Sequence, residues 1–341
     1  MTDPKESKSL QTPGPTGLLI MIPVFNDWDS VRLLLPRVGA VLKRLPVCSQ
    51  ILLVDDASTH RCPADMWENS LEAISQVRIL SLRRNLGHQR ALAIGLAYAE
   101  QHVSCQAVLI MDGDGEDNPD DIPRLYERMK SEGNAKVVFA ERTKRSENWV
   151  FRTFYRIFRI VHYLLTGFHV RVGNFSIVPY PLLRRIVVLS ELWNHYAAAV
   201  FKSRMPYDTV PTQRAKRLMG TSQMNFVGLV VHGLSALSVY SEIVGVRLLL
   251  ASVFLVVLVT GLLAGIIGIR LASSLANPGW ASTVGGLIVV ILIQVLGLAS
   301  SFVFLILQGR GNTSFLPVRD YAFFVDQAHD VYPKQLVCKS L

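Results

Sequence analysis

The sequence predicts a mainly parallel α/β domain followed by a two-helix transmembrane hairpin. Three observations lead to this fold class. Short apolar runs alternate with stretches of helical period over residues 17 to about 140, two long uncharged apolar runs follow residue 245, and carboxylates cluster directly after the short runs. Half of the 341 residues are hydrophobic and 18% are charged, with a mean hydropathy of +0.32. This composition excludes a chain that is disordered over most of its length.

Residues 17–245 are predicted to form one cytosolic domain. Several of its apolar runs are rich in β-branched residues, and five are predicted as strands: Leu18–Val24, Ile51–Val54, Val77–Leu82, Ala107–Met111 and Val137–Ala140. Three stretches between them have helical period: Val31–Leu45, Gln89–Gln101 and Ile122–Lys130. Strands that alternate with helices imply a mainly parallel sheet whose ligand site lies at the carboxyl ends of the strands. The polar residues 1–16 are expected to be a disordered leader, with no signal peptide.

Two apolar runs are long enough to cross a bilayer. Residues 248–269 contain no charge, and residues 284–307 contain only Gln294 as a strongly polar side chain. At about 1.5 Å of rise per residue, each run reaches across a hydrocarbon core of roughly 30 Å. We therefore expect a transmembrane hairpin over residues 246–308, followed by a cytosolic tail over residues 309–341. Buried helices of a large globular domain are the alternative.

The distribution of basic residues predicts the orientation of this hairpin. The connection after Arg270 contains no Lys or Arg, whereas the N-terminal part of the chain is rich in both, so the positive-inside rule places that part and the tail in the cytosol. Residues 146–168 carry Arg152, Arg156 and Arg159 among aromatic residues. We interpret this segment as a helix lying in the membrane interface. An ordinary amphipathic helix packed on the domain is the alternative.

Carboxylates follow three of the predicted strands. Asp27 follows the first strand and Asp56 the second, and the fourth is followed by Asp112, Asp114, Glu116 and Asp117. Four carboxylates within six residues repel one another unless a cation neutralises them. Such oxygen ligands suit Mg²⁺ or Mn²⁺, held by a few carboxylates together with the phosphates of a substrate. A solvated acidic turn at the start of the next helix is the alternative, and the residues alone leave it open.

The charge balance and the missing motifs narrow the function classes. Lys and Arg number 35 against 26 Asp and Glu, which gives a net charge of +9 and favours an anionic partner. No P-loop, dinucleotide fingerprint or nucleophile elbow occurs. No nucleic-acid recognition motif occurs either, so we expect no nucleic-acid partner. The four cysteines form no CxxC pair and are predicted to be reduced thiols. His88, His162 and His195 have no ligand spacing and are expected to be structural.

Taken together, these motifs resemble those of family-2 glycosyltransferases of the Rossmann-like glycosyltransferase-A fold. They are most similar to those of the membrane-bound branch that contains dolichol-phosphate mannose synthase and bacterial polyprenyl-phosphate glycosyltransferases. The likeness runs from about residue 17 to about residue 310. Arg84–Gly87 resembles the family's Arg-Asn-x-Gly turn, residues 112–114 resemble its Asp-x-Asp motif, and residues 217–223 resemble its Arg-x-x-Gly-x-Ser-Lys element.

The resemblance implies roles for named residues. Metal ligands are expected at Asp112, Asp114 and Glu116. Catalytic roles are expected at Asp114, Asp117 and Arg142. Substrate contacts are expected from the turns after the strands and from the Arg217 element: Pro23, Phe25, Asp27, Val54, Asp56, Asn85, Gly113, Arg142, Asn174, Arg217 and Gln223.

Two departures from the family pattern bear on the acceptor. Gln223 replaces a lysine that is expected to meet phosphate, and Asn174 stands where relatives often carry an acid. Transfer to a hydroxyl needs a general base close to the acceptor, whereas a phosphate oxygen is already ionised at neutral pH. An asparagine at position 174 is therefore compatible with a phosphate acceptor, an altered acceptor or a weakened enzyme.

The resemblance implies a metal-dependent inverting glycosyltransferase. It would move one sugar from a nucleotide-diphosphate sugar to a polyprenyl phosphate at the cytosolic face of a membrane, with Mg²⁺ or Mn²⁺ as cofactor. The expected location is the bacterial inner membrane, and a homo-oligomer is left open. Two alternatives also stay open: transfer to a membrane lipid hydroxyl or a glycan, and a catalytically weak assembly subunit.

Overall fold

The computed structural model describes most of the chain in two compact units, which we treat separately. The first contains residues 1–147, 171–235 and 315–341, and the second contains residues 148–170 and 236–314. The residues whose structure is described are 17–63, 66, 71, 73–142, 160–168, 172–220, 226–272, 279–311 and 315–333. The predicted leader, Gln223 and residues 146–159 of the predicted interfacial helix lie outside these ranges.

The first unit is built on an eight-stranded sheet in the order β7-β5-β6-β4-β1-β2-β3-β8. Its strands are β1 (Gly17–Val24), β2 (Cys48–Asp55), β3 (Ile74–Leu82), β4 (Ala107–Ile110), β5 (Val137–Arg142), β6 (Val172–Pro179), β7 (Tyr207–Thr212) and β8 (Val325–Pro333). Four of the seven neighbouring pairs are parallel, and the antiparallel pairs involve β6 or β8. The predicted α/β class with mostly parallel strands is confirmed.

Helices cover both faces of this sheet. In chain order, the α-helices of the described residues are α1 (Trp28–Leu42), α2 (His88–His102), α3 (Ile122–Ser131), α4 (Tyr180–Ile186), α5 (Tyr196–Lys202), α6 (Phe226–Ser238), α7 (Ser241–Ala272), α8 (Trp280–Gly311) and α9 (Pro317–Asp320). One core cluster lies between the sheet and α2, α4 and α5, and the other lies between the sheet and α1 and α3. The central strands β1 and β4 are buried on both faces, which explains their continuous apolar sequences.

The residues after the predicted hairpin are part of the sheet. β8 pairs antiparallel with β3, and Arg78 of β3 holds Asp330 of β8 through two hydrogen bonds of 2.7 and 3.1 Å. Phe315 and Phe324 pack against Trp193, with ring centroids 3.8 and 5.2 Å away. The segment predicted only as a cytosolic tail therefore completes the first unit.

The second unit contains two helices that are long and apolar enough to cross a membrane. The spans are Ser241–Ala272 and Ser282–Leu305, and their apolar side chains are almost entirely exposed in the described structure. Exposure to this extent is what a lipid-facing helix requires, whereas the core helix of a soluble domain would be buried. The described end of the predicted interfacial segment, residues 160–166, is helical. Arg247 donates a hydrogen bond of 2.7 Å to the carbonyl of Leu164, and Phe168 stacks on Tyr240.

One cysteine differs from the sequence-based expectation of reduced thiols. Cys62 and Cys105 are free, but Cys48 is in a disulfide bond. Burial raises the pKa of the Cys105 thiol to about 12, which keeps that sulfur protonated and unreactive at neutral pH.

Candidate functional site

The turns after β1 and β2 are held together by side chains at the carboxyl edge of the sheet. Asn26 has a positive φ of 54°, a conformation that asparagine tolerates better than most residues. Its side-chain amide oxygen, Oδ1, accepts a hydrogen bond of 2.8 Å from the main-chain N–H of Thr59, and its main-chain N–H donates to Ser58 Oγ at 3.0 Å. These bonds fix the turn that carries Phe25 and Asp27. Phe25 is exposed, and Asp27 is partly exposed.

Asp56 positions the turn that follows β3, residues 84–87. Its side chain is 3% exposed, and its two carboxylate oxygens accept hydrogen bonds from the main-chain N–H groups of Leu86 and Gly87 at 2.7 and 2.8 Å. Burial raises the pKa of Asp56, while the two hydrogen bonds oppose this shift. The carboxylate is therefore committed to holding the Arg84–Gly87 turn. Asn85 in the same turn is exposed.

The acidic loop after β4, residues 112–117, is folded around its own carboxylates. Asp117 is 2% exposed, and its Oδ2 accepts a hydrogen bond of 2.9 Å from the main-chain N–H of Asp112. Asp114 Oδ1 accepts from the N–H of Glu116 at 2.9 Å. Gly113 packs closely on α1, and a Cβ there would lie 3.1 Å from Val31. Asp117 thus supports the loop from its buried side, whereas the carboxylates of Asp112 and Asp114 are more exposed than that of Asp117.

A basic segment lies over this acidic loop. We call residues 213–220 the strap. Arg217 places Nη2 2.7 Å from Asp27 Oδ2 and Nη1 3.3 Å from Asp114 Oδ2. Arg214 forms an ion pair with Glu116. The main-chain N–H groups of Ala215 and Leu218 donate to carbonyl oxygens of the acidic loop at 2.9 and 3.0 Å.

His88, at the start of α2, lies beside the acidic loop. Its Nε2 is 3.3 Å from Asp112 Oδ1 and 2.8 Å from the amide nitrogen of Asn174 on β6. Gln89 donates to the amide oxygen of Asn174 at 3.2 Å and accepts from the main-chain N–H of Tyr196 at 2.8 Å. This chain of contacts joins α2, β6 and α5 to the carboxylate of Asp112.

The structure brings together much of the set implied by the resemblance. Three carboxylate–arginine contacts, one carboxylate–imidazole contact and one imidazole–amide contact join residues from distant parts of the chain: Asp27, Asp112, Asp114, Glu116, Asn174 and Arg217. Two members are placed differently. Pro23 is buried and Val54 is 0% exposed in the core, so a contact from either residue to a ligand would have to come from its main chain. Arg142 ends β5, and its side chain lies outside the described structure, as does Gln223.

Sequence reasoning missed three residues of this site. His88 was expected to be structural, yet it contacts both Asp112 and Asn174. Its position directly after the Arg84–Gly87 turn was the available signal. Gln89 and Arg214 belong to no recognised motif. Only the fold brings Gln89 to Asn174 and Arg214 to Glu116.

The open carboxylates suit a divalent cation that is shared with a diphosphate. Across the described ranges, no group of three Asp, Glu, His or Cys side chains converges to hold a metal ion. Mg²⁺, however, is usually bound through one or two carboxylates together with substrate phosphates and water. Asp112 and Asp114 supply such a pair of oxygen ligands, so the residues present fit a cation that is shared with a substrate.

Comparisons with known proteins indicate the family of this chain. Residues 19–188 match glycosyl transferase family 2. Undecaprenyl-phosphate 4-deoxy-4-formamido-L-arabinose transferases from Salmonella paratyphi A and Salmonella dublin are 27% identical over 218 residues, which cover 62% of this chain and 63% of theirs.

Two solved structures are similar to this chain at low identity. Glucosyl-3-phosphoglycerate synthase from Mycobacterium tuberculosis has a TM-score of 0.48 and 13% identity, covering 67% of this chain and 80% of its own. Mannosyl-3-phosphoglycerate synthase from Rubrobacter xylanophilus has a TM-score of 0.46 and 14% identity, covering 77% and 78%. On the sequence match over its sheet and acidic loop, this chain belongs to glycosyl transferase family 2.

Proposed function

We propose that this protein transfers one sugar from a nucleotide-diphosphate sugar to a polyprenyl phosphate at the cytosolic face of a membrane. The observation that carries the proposal is the acidic loop, in which Asp112 contacts the imidazole of His88 and Asp114 contacts the guanidinium of Arg217. Carboxylates with adjacent basic groups can bind a diphosphate together with its cation. The names of the curated relatives and the two membrane-spanning helices support a polyprenyl phosphate as acceptor.

The donor would lie along the carboxyl edge of the sheet. The turn that carries Phe25 and Asp27 and the turn after β2 would contact the nucleoside. Asp112 and Asp114 would hold the divalent cation, Mg²⁺ or Mn²⁺. When bound, that cation would neutralise the charge that develops on the leaving diphosphate. Arg217 would hold phosphate oxygens, because a guanidinium can donate two parallel hydrogen bonds to them.

The chemical step needs no protein base. An ionised oxygen of the acceptor phosphate forms a bond to the anomeric carbon, while the bond from that carbon to the diphosphate oxygen breaks. The electron pair leaves with the nucleoside diphosphate, and attack from the opposite face inverts the anomeric configuration. No proton is removed from the acceptor, so an asparagine at position 174 is compatible with this reaction.

The test is a transfer assay with the purified full-length protein, a panel of nucleotide sugars, Mn²⁺ and polyprenyl phosphate. We expect a lipid product that releases its sugar in mild acid. Asp114→Asn should lower kcat by about 10²–10³, the range found when one electrostatic contact to the transition state is lost. Asp208→Asn is the matched control, because Asp208 pairs with Arg128 at the start of β7, at the opposite edge of the sheet.

Three outcomes contradict the proposal in different ways. A lipid product that is stable to mild acid indicates a hydroxyl acceptor. Absence of turnover with every donor, in a protein that is folded, indicates an assembly subunit. Equal rates for wild type and Asp114→Asn remove the role of the acidic loop in catalysis.

A further inference from the structure

Arg217 occupies a position between two carboxylates that come from opposite sides of the site. Its Nη2 is 2.7 Å from Asp27 Oδ2, in the turn after β1, and its Nη1 is 3.3 Å from Asp114 Oδ2, in the acidic loop. Its Nε donates a third hydrogen bond, of 2.9 Å, to the carbonyl of Met219. Only 20% of the side chain is exposed. The guanidinium is therefore held by three contacts within the protein.

The strap that carries Arg217 is built to sit on the acidic loop. Leu218 donates its main-chain N–H to the carbonyl of Asp114 and covers Gly115, which has a positive φ of 80°. A Cβ at Gly115 would overlap the side chain of Leu218, so the close approach requires glycine there. Arg214 neutralises Glu116 in the same way that Arg217 neutralises Asp114.

This arrangement conflicts with binding of a cation at Asp114. Mg²⁺ would lie about 2.0–2.1 Å from a carboxylate oxygen. Asp114 Oδ1 already accepts a hydrogen bond from the N–H of Glu116, which leaves Oδ2, the oxygen that Arg217 contacts. Two positive groups that share one carboxylate oxygen repel each other. Either Arg217 leaves Asp114 when the cation binds, or the cation does not use Asp114.

We propose that Arg217 is a resident counter-ion of Asp114, which exchanges for the divalent cation when the donor binds. Asp27 is the positioning residue of this exchange, because it holds the guanidinium beside the acidic loop after Asp114 has released it. Arg217 is then free to donate to the diphosphate that enters with the cation. The inference rests on the proposed function only in identifying the incoming cation and diphosphate.

The exchange predicts opposite effects of one substitution on two ligands. Full-length Arg217→Gln should bind Mn²⁺ alone about tenfold more tightly than wild type, because a competing positive charge has been removed. The same variant should bind UDP or GDP about tenfold more weakly at saturating Mn²⁺, because a charge-assisted contact to phosphate has been lost. Mn²⁺ binding can be followed by the electron paramagnetic resonance of free Mn²⁺, and nucleotide binding by calorimetry.

Two further variants test whether the effect on Mn²⁺ binding comes from the positive charge at position 217. Arg217→Lys keeps the positive charge, so its affinity for Mn²⁺ should stay within about threefold of wild type. Arg128→Gln removes an arginine that pairs with Asp208 at the opposite edge of the sheet, and it should change neither affinity. Thermal unfolding of each variant verifies that it is folded.

The outcomes are distinguishable from those of the transfer assay. Unchanged or weaker Mn²⁺ binding by Arg217→Gln overturns the counter-ion role, as does equally tight Mn²⁺ binding by Arg217→Lys and Arg217→Gln. If wild type binds Mn²⁺ but neither nucleotide, the proposed function is contradicted, while the Mn²⁺ comparison still decides the exchange.

Discussion

Buried carboxylates at this site act as structural acceptors for the main chain. Asp56 accepts from the N–H groups of two successive residues in the Arg84–Gly87 turn, and Asp117 accepts from the N–H of Asp112. Each side chain therefore fixes a loop that carries other residues of the candidate site. His88 follows the turn that Asp56 holds, and its contact with Asp112 depends on both loops.

Replacement of Asp56 by Asn should destabilise the protein. The amide oxygen can accept one of the two hydrogen bonds, but the amide nitrogen then faces a main-chain N–H donor in a buried position. Leaving such a donor unpaired costs about 1–3 kcal/mol, which should lower the Tm by several degrees. Thermal unfolding of the full-length protein measures the change.

Asp55→Asn is the matched control for this experiment. Asp55 is partly exposed and accepts a hydrogen bond of 2.9 Å from the N–H of Ser58 through one oxygen. An asparagine can keep that bond, so the Tm should change little. Equal losses in the two variants would contradict the role assigned to the paired acceptors of Asp56.

Strand β8 is joined to the sheet by its ladder with β3 and by the Arg78–Asp330 ion pair. The hydrogen bond from Arg78 holds the pKa of Asp330 below its usual value, and partial burial opposes this shift. Arg78 also lies 3.3 Å from the hydroxyl of Tyr98 on α2. A lowered pKa in the folded state means that this ion pair stabilises β8 above the pKa of Asp330 in the unfolded chain.

Protonation of Asp330 should loosen β8. As the pH falls through the lowered pKa of Asp330, its contribution is lost and amide hydrogen exchange in residues 325–333 should increase, after correction for the intrinsic rates. The pair is partly exposed, so the effect should be at most about fivefold, corresponding to about 1 kcal/mol. Asp330→Asn should remove this pH dependence, whereas Asp326→Asn should retain it.

Across the whole molecule, the chain leaves the sheet for the two long helices and then returns to it. Residues 315–333 belong to the same unit as β1–β7, and α7 and α8 lie between them in sequence. If both helices cross the membrane, the segments before α7 and after α8 must lie on one side, and residues 273–278 on the other.

Epitope tags test this topology in sealed vesicles. Tags at the N-terminus and the C-terminus should be accessible from the same side, because both ends are attached to one sheet. A tag inserted within residues 273–278 should be accessible only from the opposite side. Termini on opposite sides would contradict the hairpin, and so would a tag within residues 273–278 that is accessible from the same side as the termini.

The sequence alone was sufficient to predict the positions of the strands that are buried on both faces. Strands β1 and β4 are apolar along their whole length, and β2 is apolar over Ile51–Val54, because both faces are covered there, so their positions could be predicted to within a few residues. Strand β8 could not be predicted. It is an exposed edge strand of sequence VDQAHDVYP, and its partner β3 lies some 250 residues away in the chain.

The sequence predicted where several carboxylates of the candidate site lie, and their roles stay predictions. Carboxylates directly after parallel strands had to meet at one edge of the sheet, which located Asp27, Asp112 and Asp114. The partners of these residues could not be deduced, because Arg217 is 190 positions from Asp27 and nothing in the local sequence couples them. The burial of Asp117 also depends on packing that a motif does not record.

The position of β8 after α8 in the sequence has a consequence for folding during synthesis of the protein. The edge of β3 stays unpaired until the ribosome has synthesised β8, roughly 250 residues later, which takes about 10–50 s at usual translation rates. If both apolar helices cross a membrane, they must be inserted during that time. Completion of the sheet would then be coupled in time to membrane insertion, and a nascent chain that stalls at this stage would expose an unpaired strand to aggregation.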